Sequence, residues 1–214
     1  MSEPGSLRPD QLPRPLLDAI SRHGGVRQFP AHAILINEGD RADVLYIVLS
    51  GRLQAYSTGD NGREVVLAEH GPGEYLGELS LDGEPRSVSV KTLEPCACCL
   101  VQGPELRQFL ADHPDFGVHL TAKLIRMVRR LTEQVKSLAL QDVYGRIARV
   151  LGELSDPVGA ERVMRHKLTQ QDIAARVGSS REMVNRVMKE LTTGGYVSTR
   201  EGRIVIHRKL PPAW

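Results

Sequence analysis

The chain has 214 residues, of which 41% are hydrophobic and 25% are charged, and its formal net charge is +2. This is the composition of an ordinary globular protein with one or two domains, and the near-neutral total does not by itself point to nucleic acid. The longest apolar run, 44–49, is far shorter than the roughly 20 residues that span a bilayer, which excludes a transmembrane protein.

The first residues, MSEPGSLRPDQLPRP, place Pro and Gly where a secretory signal needs an apolar core. We therefore expect a disordered tail over residues 1–14 and a cytoplasmic protein. Two short helices are predicted near 14–23 and 104–112.

The segment from about 25 to 102 consists of short β-rich runs separated by turn residues. The runs are AILINEGD, VLYIVLSGRLQAYS, REVVLAEHGPGEYLGE, RSVSVKTLE and CACCLV. Several short strands at this spacing indicate a sandwich or barrel. We interpret residues 15–114 as a β jelly roll.

Catalytic and metal-binding patterns are not found in the sequence. Cys96, Cys98 and Cys99 are too few and too close for a disulfide framework, and cysteines that alternate on a strand are usually small core residues. The histidines lack metal-ligand spacing, and no nucleophile elbow or Walker loop occurs. We predict neither an enzyme nor a metal site, and a thiol sensor stays open as an alternative.

A long helix is predicted over residues 115–141. Its apolar positions are spaced 4, 3, 4 and 3 and are Leu124, Val128, Leu131, Val135 and Leu138. Val at a with Leu at d is the pattern of a parallel two-stranded coiled coil. This seam predicts a homodimer through residues 115–141; the alternative is a helix that packs on its own domain.

Residues 142–214 contain a predicted winged helix-turn-helix domain, centred on TQQDIAARVGSSREMVNRVMKEL. Thr169 and Asp172 form a capping box for the first helix, and Gly178 is placed to end it. Ser179 is predicted to cap the second helix, with Glu182 as its partner. The exposed start of that helix offers Arg and Glu side chains, which suit major-groove base edges.

The charge distribution supports a nucleic-acid partner. Residues 161–209 hold 11 Lys and Arg against 5 Asp and Glu, which leaves 17 basic and 21 acidic residues elsewhere. A basic module on an acidic remainder is expected when one domain faces phosphates. The candidates for backbone contacts are Arg165, Lys167, Arg176, Lys189, Arg200 and Arg203.

Three motifs resemble the catabolite activator (cyclic-AMP receptor) and fumarate-nitrate regulator superfamily of bacterial transcription regulators. They are GEYLGELSLDGEPRS at 73–87, LALQDVYGRIARVL at 138–151, and SREMVNRVMKEL at 180–191. The closing GGYVSTREGRIVIH is similar to the wing hairpin of that superfamily. The resemblance covers nearly the whole chain after residue 20 and implies an α+β fold whose jelly roll, of the cyclic-nucleotide-binding type, senses an effector. It also implies an effector-controlled homodimer that binds double-stranded DNA and contacts RNA polymerase.

The resemblance also implies two sets of site residues. The effector set is Gly77, Glu78, Leu79, Arg86, Ser87, Val88 and Thr132. The DNA set is Thr169, Gln170, Ser180, Arg181, Glu182, Asn185, Arg186 and Lys189, of which Arg181, Glu182 and Arg186 would read a palindromic GTGA-type site.

Physical chemistry assigns roles within the effector set. The Arg86 guanidinium suits the single negative charge of a cyclic phosphodiester, and Ser87 and nearby amides can donate to it. Gly77 lets the backbone approach a ligand closely, and the Glu78 carboxylate suits a ribose 2′-hydroxyl.

The resemblance is imperfect at two places. Glu78 and Arg86 are eight residues apart, which is shorter than the spacing common in the superfamily. On the long helix, Leu131-Thr132 stands where cyclic-AMP receptors often present a Thr–Ser pair to adenine. Cyclic AMP is the leading effector, and cyclic di-GMP, another small molecule, or binding without a ligand stay open. A cyclic-nucleotide-binding interaction module without DNA function is a further alternative.

Overall fold

In a computed structural model of the chain, the described residues are 9–210, without the side chain of Ser80. They form two compact units. The first unit comprises the residues up to Ser57 together with Val66–Arg129. The second unit comprises Thr58–Val65 together with the residues from Arg130 onward. The predicted order of β-rich segment, long helix and helix-turn-helix is confirmed, and so is the α+β class. Within 9–210, no helix is long and apolar enough to cross a membrane.

The first unit is built on two four-stranded sheets, with orders β1-β8-β3-β6 and β2-β7-β4-β5. The strands are β1 (Gly24–Phe29), β2 (Ile34–Ile36), β3 (Val44–Ser50), β4 (Leu53–Thr58), β5 (Glu64–His70), β6 (Tyr75–Leu76), β7 (Ser89–Thr92) and β8 (Cys96–Gln102). Its short helices are α1 (Arg14–Ile20), α2 (Gly103–Asp112) and two 3₁₀ turns at Ser21–His23 and Glu78–Asp82. The predicted helices near 14–23 and 104–112 are therefore confirmed.

Strand β8 sends its alternating side chains into two hydrophobic clusters, as a strand buried on both faces must. Cys96 and Cys98 pack in a cluster drawn from both sheets, together with Val48, Leu53 and Val90. Cys99 and Val101 pack in a second cluster with side chains of the helices, including Leu16, Leu106, Phe109 and Phe116. These cysteines are buried, as small core residues are expected to be.

The disordered tail predicted over 1–14 is wrong for the described residues 9–14, the last of which begins α1; residues 1–8 lie outside the described part. Leu12 is 2% exposed in the second cluster, and its amide donates to the Gly73 carbonyl over 2.8 Å. The Asp10 carboxylate pairs with Arg126 over 2.7 Å. Burial of one leucine and a charge pair order a segment whose Pro and Gly content suggested disorder.

Helix α3 (Pro114–Leu140) is the predicted long helix, and it is about four turns longer than the average helix of a globular protein. Four of its five predicted seam residues are exposed in the single chain: Val128 is 62% exposed, Leu131 42%, Val135 65% and Leu138 52%, whereas Leu124 is half-buried. Exposed apolar side chains in one row are unusual in a monomer and mark an interaction surface.

The second unit contains α4 (Val143–Glu153), α5 (Gln170–Val177), α6 (Arg181–Thr193) and a sheet of order β11-β12-β10-β9. The strands are β9 (Ser155–Val158), β10 (Glu161–Met164), β11 (Val197–Arg200) and β12 (Arg203–Ile206). Asp142 caps α4 by accepting from the Gly145 amide over 2.7 Å. The hairpin β11–β12 is the predicted wing, whereas β9 and β10 were not predicted.

Candidate functional site

The first candidate site is the loop between β6 and β7, which we call the cassette (Gly77–Val88). Gly77 has φ +93°, and a Cβ there would lie 2.7 Å from the Val44 carbonyl oxygen and 2.8 Å from Arg86 Nη1. Only glycine fits such a left-handed, crowded position. Gly77 is thus required for the close approach of the backbone to Val44 and Arg86. The predicted approach to a ligand stays a prediction.

Arg86 is folded into the cassette and is 6% exposed. Its Nη1 donates to the Gly77 carbonyl over 2.9 Å, and its Nη2 donates to the Val44 carbonyl over 2.7 Å. Burial lowers the pKa of Arg86, and Tyr46, Asp43 and Glu78 oppose that shift. The structure therefore joins Gly77 and Arg86 directly, and the Glu78 carboxylate is near enough to act on the pKa of Arg86.

The sequence predicts that the Glu78 carboxylate accepts from a ribose 2′-hydroxyl, but in the structure one of its oxygens has a protein partner. It is 6% exposed, and its Oε1 lies 2.8 Å from the Nζ of Lys123 on α3. Lys123 is fully buried; its Nζ also donates to the Tyr75 carbonyl and lies 3.9 Å from the centroid of the Tyr75 ring. A cation over an aromatic face and against a carboxylate is held by three partners.

Sequence reasoning missed Lys123, although one signal was present. Lys123 stands seven residues after Phe116, which places both on one face of a helix, and Phe116 is buried. The heptad spacing could have placed Lys123 inward, but nothing in the sequence names Glu78 as its partner.

The other predicted effector residues are more open. Leu79 is 45% exposed, and Ser87 is exposed, so both remain available to a ligand. Val88 is half-buried and packs against the cluster of both sheets. Thr132 is exposed on the C-terminal half of α3, in the second unit.

A cavity of about 300 Å³ opens beside the cassette, and its lining includes Arg41, Asp43, Leu81, Glu84 and Arg107. Arg107 bonds Asp43 over 2.7 Å. None of the predicted effector residues lines this cavity. The Arg86 and Glu78 side chains are occupied by protein partners instead.

The second candidate site is the helix-turn-helix formed by α5 and α6. The Thr169 hydroxyl accepts from the Asp172 amide over 3.1 Å, and the Asp172 carboxylate accepts from the Thr169 amide over 2.8 Å. Gly178 has φ +63° and ends α5 in the left-handed conformation. The predicted capping box and glycine stop are both confirmed.

The cap of α6 is one residue later than predicted. Ser180, not Ser179, has the extended backbone of a cap, and its hydroxyl accepts from the Met183 amide over 3.2 Å. The pKa of Glu182 is lowered first by its own backbone amide and then by the Ser180 hydroxyl. Ser180 thereby fixes the start of the helix that presents the predicted base-reading residues.

Helix α6 divides cleanly into two faces. Val184, Val187 and Leu191 are buried. The opposite face is exposed and carries the predicted DNA-contacting residues Arg181, Glu182, Asn185, Arg186 and Lys189. Gln170, at the start of α5, reaches this face and donates from Nε2 to Asn185 Oδ1 over 3.1 Å.

The predicted phosphate contacts are not equally available. Arg165 pairs with Asp156 over 2.9 Å, and Arg200 pairs with Glu161 over 3.2 Å. Arg176 donates to the Asp172 carbonyl over 3.0 Å. Lys167, Lys189 and Arg203 are exposed, so in this structure they are the most accessible of the six.

Metal ligation and thiol chemistry find little support in the described residues. Across 9–210, no three His, Cys, Asp or Glu side chains are grouped so as to hold a metal ion. Burial raises the pKa of Cys98 to about 12, with Cys96 and Cys99 adding to the shift. Because the thiolate is the reactive form, a buried thiol of this kind is a poor sensor.

Comparison with known proteins links both sites to one family. Residues 26–113 match the cyclic nucleotide-binding domain, and residues 145–209 match the Crp-like helix-turn-helix domain. The chain is 34% identical over 198 residues to the cAMP-activated global transcriptional regulator CRP of Haemophilus influenzae, covering 90% of this chain and 88% of the relative. It is 33% identical over 183 residues to the CRP-like cAMP-activated global transcriptional regulator of Mycobacterium tuberculosis, covering 83% of this chain and 81% of the relative.

A solved structure gives the same result. The c-di-GMP-responsive global regulator CLP of Xanthomonas campestris superposes with a TM-score of 0.82 at 28% identity, covering 91% of this chain and 99% of that one. The resemblance drawn from the three motifs is confirmed, and the family consists of regulators and not of enzymes. The chain belongs to the CRP family of DNA-binding transcription regulators, with a cyclic nucleotide-binding domain followed by a Crp-like helix-turn-helix domain.

Proposed function

We propose that this protein is a cytoplasmic, homodimeric transcription regulator whose affinity for a palindromic GTGA-type site is set by a small anionic effector. Cyclic nucleotides are the proposed effector class, and cyclic AMP is the leading member. The observation that carries the proposal is the exposed face of α6, where Arg181, Glu182 and Arg186 project from a capped helix with a buried opposite face.

These side chains match the chemistry of base edges. An arginine fork bonds guanine O6 and N7 together, and a carboxylate accepts from the cytosine amine. The N-terminal residues of a recognition helix are the ones that reach into the major groove. Rim cations such as Lys189 would bind phosphates and position the helix without specifying sequence.

The dimer follows from the seam on α3. Four exposed apolar side chains at a and d positions would be covered by the same residues of a second copy. A twofold axis along a parallel coiled coil would present two recognition helices to the two halves of a palindrome. RNA polymerase is the further partner expected of such a regulator.

The effector proposal rests on Arg86 and on the relatives. Two relatives are named as cAMP-activated. In the cassette, the guanidinium bonds two neutral carbonyls. An ionised phosphodiester would be a stronger, charge-assisted acceptor for the same nitrogens.

The alternative is a regulator of the same architecture that needs no nucleotide. It is favoured by one observation, the pairing of one Glu78 carboxylate oxygen with the buried Lys123. Cyclic di-GMP is a second alternative, because CLP is described as responsive to it.

The test is a calorimetric titration of cyclic AMP and of cyclic di-GMP into the full chain, with Arg86→Gln as the matched variant. We expect cyclic AMP to bind the native protein and to lose at least tenfold in affinity in the variant, because a charged hydrogen bond is lost. Tighter binding of cyclic di-GMP would reassign the effector. Binding of neither, with DNA affinity intact, would favour the nucleotide-independent regulator.

A further inference from the structure

Glu161 on β10 holds two basic side chains of the wing. Its Oε1 accepts from His207 Nδ1 over 2.8 Å, and its Oε2 accepts from Arg200 Nη1 over 3.2 Å. Arg200 is the last residue of β11, and His207 directly follows β12. One carboxylate outside the hairpin therefore engages both of its strands.

Arg200 is the more loosely held of the two partners. Charge-assisted hydrogen bonds usually span about 2.7–2.9 Å. The His207 bond has this length, whereas the Arg200 nitrogens lie 3.2 and 3.5 Å from the two Glu161 oxygens, and the longer contact shares Oε1 with His207. The Arg200 side chain is also 60% exposed. A competing anion, such as a DNA phosphate, can therefore draw Arg200 away from Glu161.

The His207 ring can gain a second proton without moving. Because the Glu161 carboxylate only accepts, the neutral ring carries its proton on Nδ1. The other nitrogen, Nε2, lies 2.9 Å from the Ser198 hydroxyl. A hydroxyl donates to the neutral ring and accepts from the charged one. Protonation of His207 therefore places a positive charge beside Glu161 while both hydrogen bonds persist.

The neighbouring basic side chains are turned elsewhere. Arg208 lies over the Tyr196 ring at 4.0 Å, and the Arg162 guanidinium bonds Ser155 over 3.0 Å. Within residues 9–210, the charged side chains joined to the His207 ring are thus Glu161 directly and Arg200 through it.

The Glu161 carboxylate is itself held in its charged form. Its pKa is lowered first by the hydrogen bond from His207 and then by the bond from Arg200. Histidine is the side chain whose charge ordinarily changes between pH 8 and 5, where a carboxylate with a lowered pKa stays ionised. As the pH falls through that range, two cations therefore come to share one anion.

We propose that Glu161 and His207 form a proton-operated restraint on Arg200, which binds a DNA phosphate only once His207 is charged. The charged ring is the nearer cation, so it neutralises Glu161 and repels Arg200. The released guanidinium then finds its stronger acceptor in the phosphate. This inference rests on the DNA-binding part of the proposed function and needs neither the effector nor a particular base sequence.

The experiment compares the native protein with Arg200→Ala at about pH 8 and about pH 6, on either side of the histidine range. Both are titrated with a scrambled duplex at several salt concentrations, because such binding depends on phosphate contacts. At the higher pH we expect affinities within about twofold and equal salt slopes. At the lower pH Arg200→Ala should bind at least about threefold more weakly, with a salt slope smaller by about one.

Two further backgrounds test the restraint itself. His207→Gln keeps a donor for Glu161 but cannot gain a charge, so adding Arg200→Ala should have little effect at either pH. Glu161→Gln removes the anion and frees Arg200, so Arg200→Ala should then weaken binding at both pH values. Glu153→Gln is the control: it removes a carboxylate of the same unit, paired with Arg149 over 2.8 Å, and should keep the native pattern.

An equal effect of Arg200→Ala at both pH values, or no effect at either, would overturn this inference and leave DNA binding standing. Arg200 is exposed, so this comparison does not depend on a variant that disturbs the core. A native pattern retained in His207→Gln would also overturn it. If the native protein binds no duplex at either pH, the proposed DNA-binding function fails, and this inference fails with it.

Discussion

Gln170 and Asn185 lie on different helices of the helix-turn-helix and are joined side chain to side chain, Nε2 of Gln170 donating to Oδ1 of Asn185 over 3.1 Å. This bond orients the Asn185 amide on the exposed face of α6. The pair then presents the Gln170 oxygen as an acceptor and the Asn185 amine as a donor. Adenine offers the complementary N6 donor and N7 acceptor in the major groove.

We therefore predict that the pair reads an A·T base pair. Asn185→Ala should cost about 1–3 kcal/mol in binding to the preferred site and relax one base position. Gln170→Ala should relax the same position, and the two changes together should cost less than their sum, because they remove one shared contact. Binding to a set of single-base variants of the site measures this; relaxation at two separate positions would refute the shared contact.

Arg181 and Lys189 are both exposed on α6 but should behave differently. Arg181→Ala should cost about 1–3 kcal/mol and relax one base position, as a guanine fork does. Lys189→Ala should weaken binding to all sequences and reduce the salt slope by about one. Titrations at several salt concentrations separate the two, and uniform weakening by Arg181→Ala would make it a phosphate contact.

Gly77→Ala tests the geometry of the cassette. A Cβ would meet the Val44 oxygen and Arg86 at a left-handed φ of +93°. We expect a loss of about 1–3 kcal/mol in the free energy of unfolding, measured with urea. Gly25→Ala is the matched control in the same unit, because a Cβ there meets nothing within 4 Å. Equal effects of the two changes would contradict the account of Gly77.

The seam on α3 is tested by Val135→Glu, which places a charge on a side chain that is 65% exposed in the single chain. If the seam is the dimer interface, the buried charges would repel one another and the protein should sediment as a monomer. Lys136→Glu, one residue further on, should leave the native mass unchanged. A Val135→Glu variant with the native mass would show that the seam is not the interface.

His119 predicts a pH dependence of stability. Its Nε2 lies 3.1 Å from the Gln11 carbonyl, which can only accept, so the neutral ring carries its proton there and Nδ1 accepts from the Tyr75 hydroxyl at 3.1 Å. Burial lowers the pKa of His119 from 6.5, with Arg126 and Lys123 acting in the same direction.

The sign of the effect follows from proton uptake. Below pH 6.5 the unfolded chain binds a proton at this position more readily than the folded chain does, so stability falls as the pH falls through this range. Unfolding by urea between about pH 7.5 and 5.5 should show a larger loss for the native protein than for His119→Gln. Equal losses would remove His119 from this account.

The helix-turn-helix could be predicted from the sequence because its signals are local. Thr169, Asp172 and Gly178 act within one or two turns of the chain, and all three have the predicted roles. The prediction of Ser179 as the cap of α6 was wrong because two adjacent serines can each cap a helix. Only the extended backbone of Ser180 decides between them.

The pairing of Glu78 with Lys123 could not be predicted, because it depends on how α3 packs against the cassette. Strand β9 was missed for a different reason. It is a four-residue strand at the edge of its sheet, and it contains Pro157, which has no backbone N–H to donate. Its sequence also lacks the alternation of polar and apolar residues by which strands are recognised. The ordered residues 9–13 likewise depend on tertiary partners, Arg126 and Gly73.

The most direct measurement is a titration of a palindromic GTGA-type duplex with the full chain at one fixed salt concentration, with and without cyclic AMP. The account predicts tighter binding with the nucleotide and loss of that gain in Arg86→Gln, with nonspecific affinity retained. Equal affinity in both conditions would contradict effector control by cyclic AMP, and binding no tighter than to a scrambled duplex would contradict the assigned site.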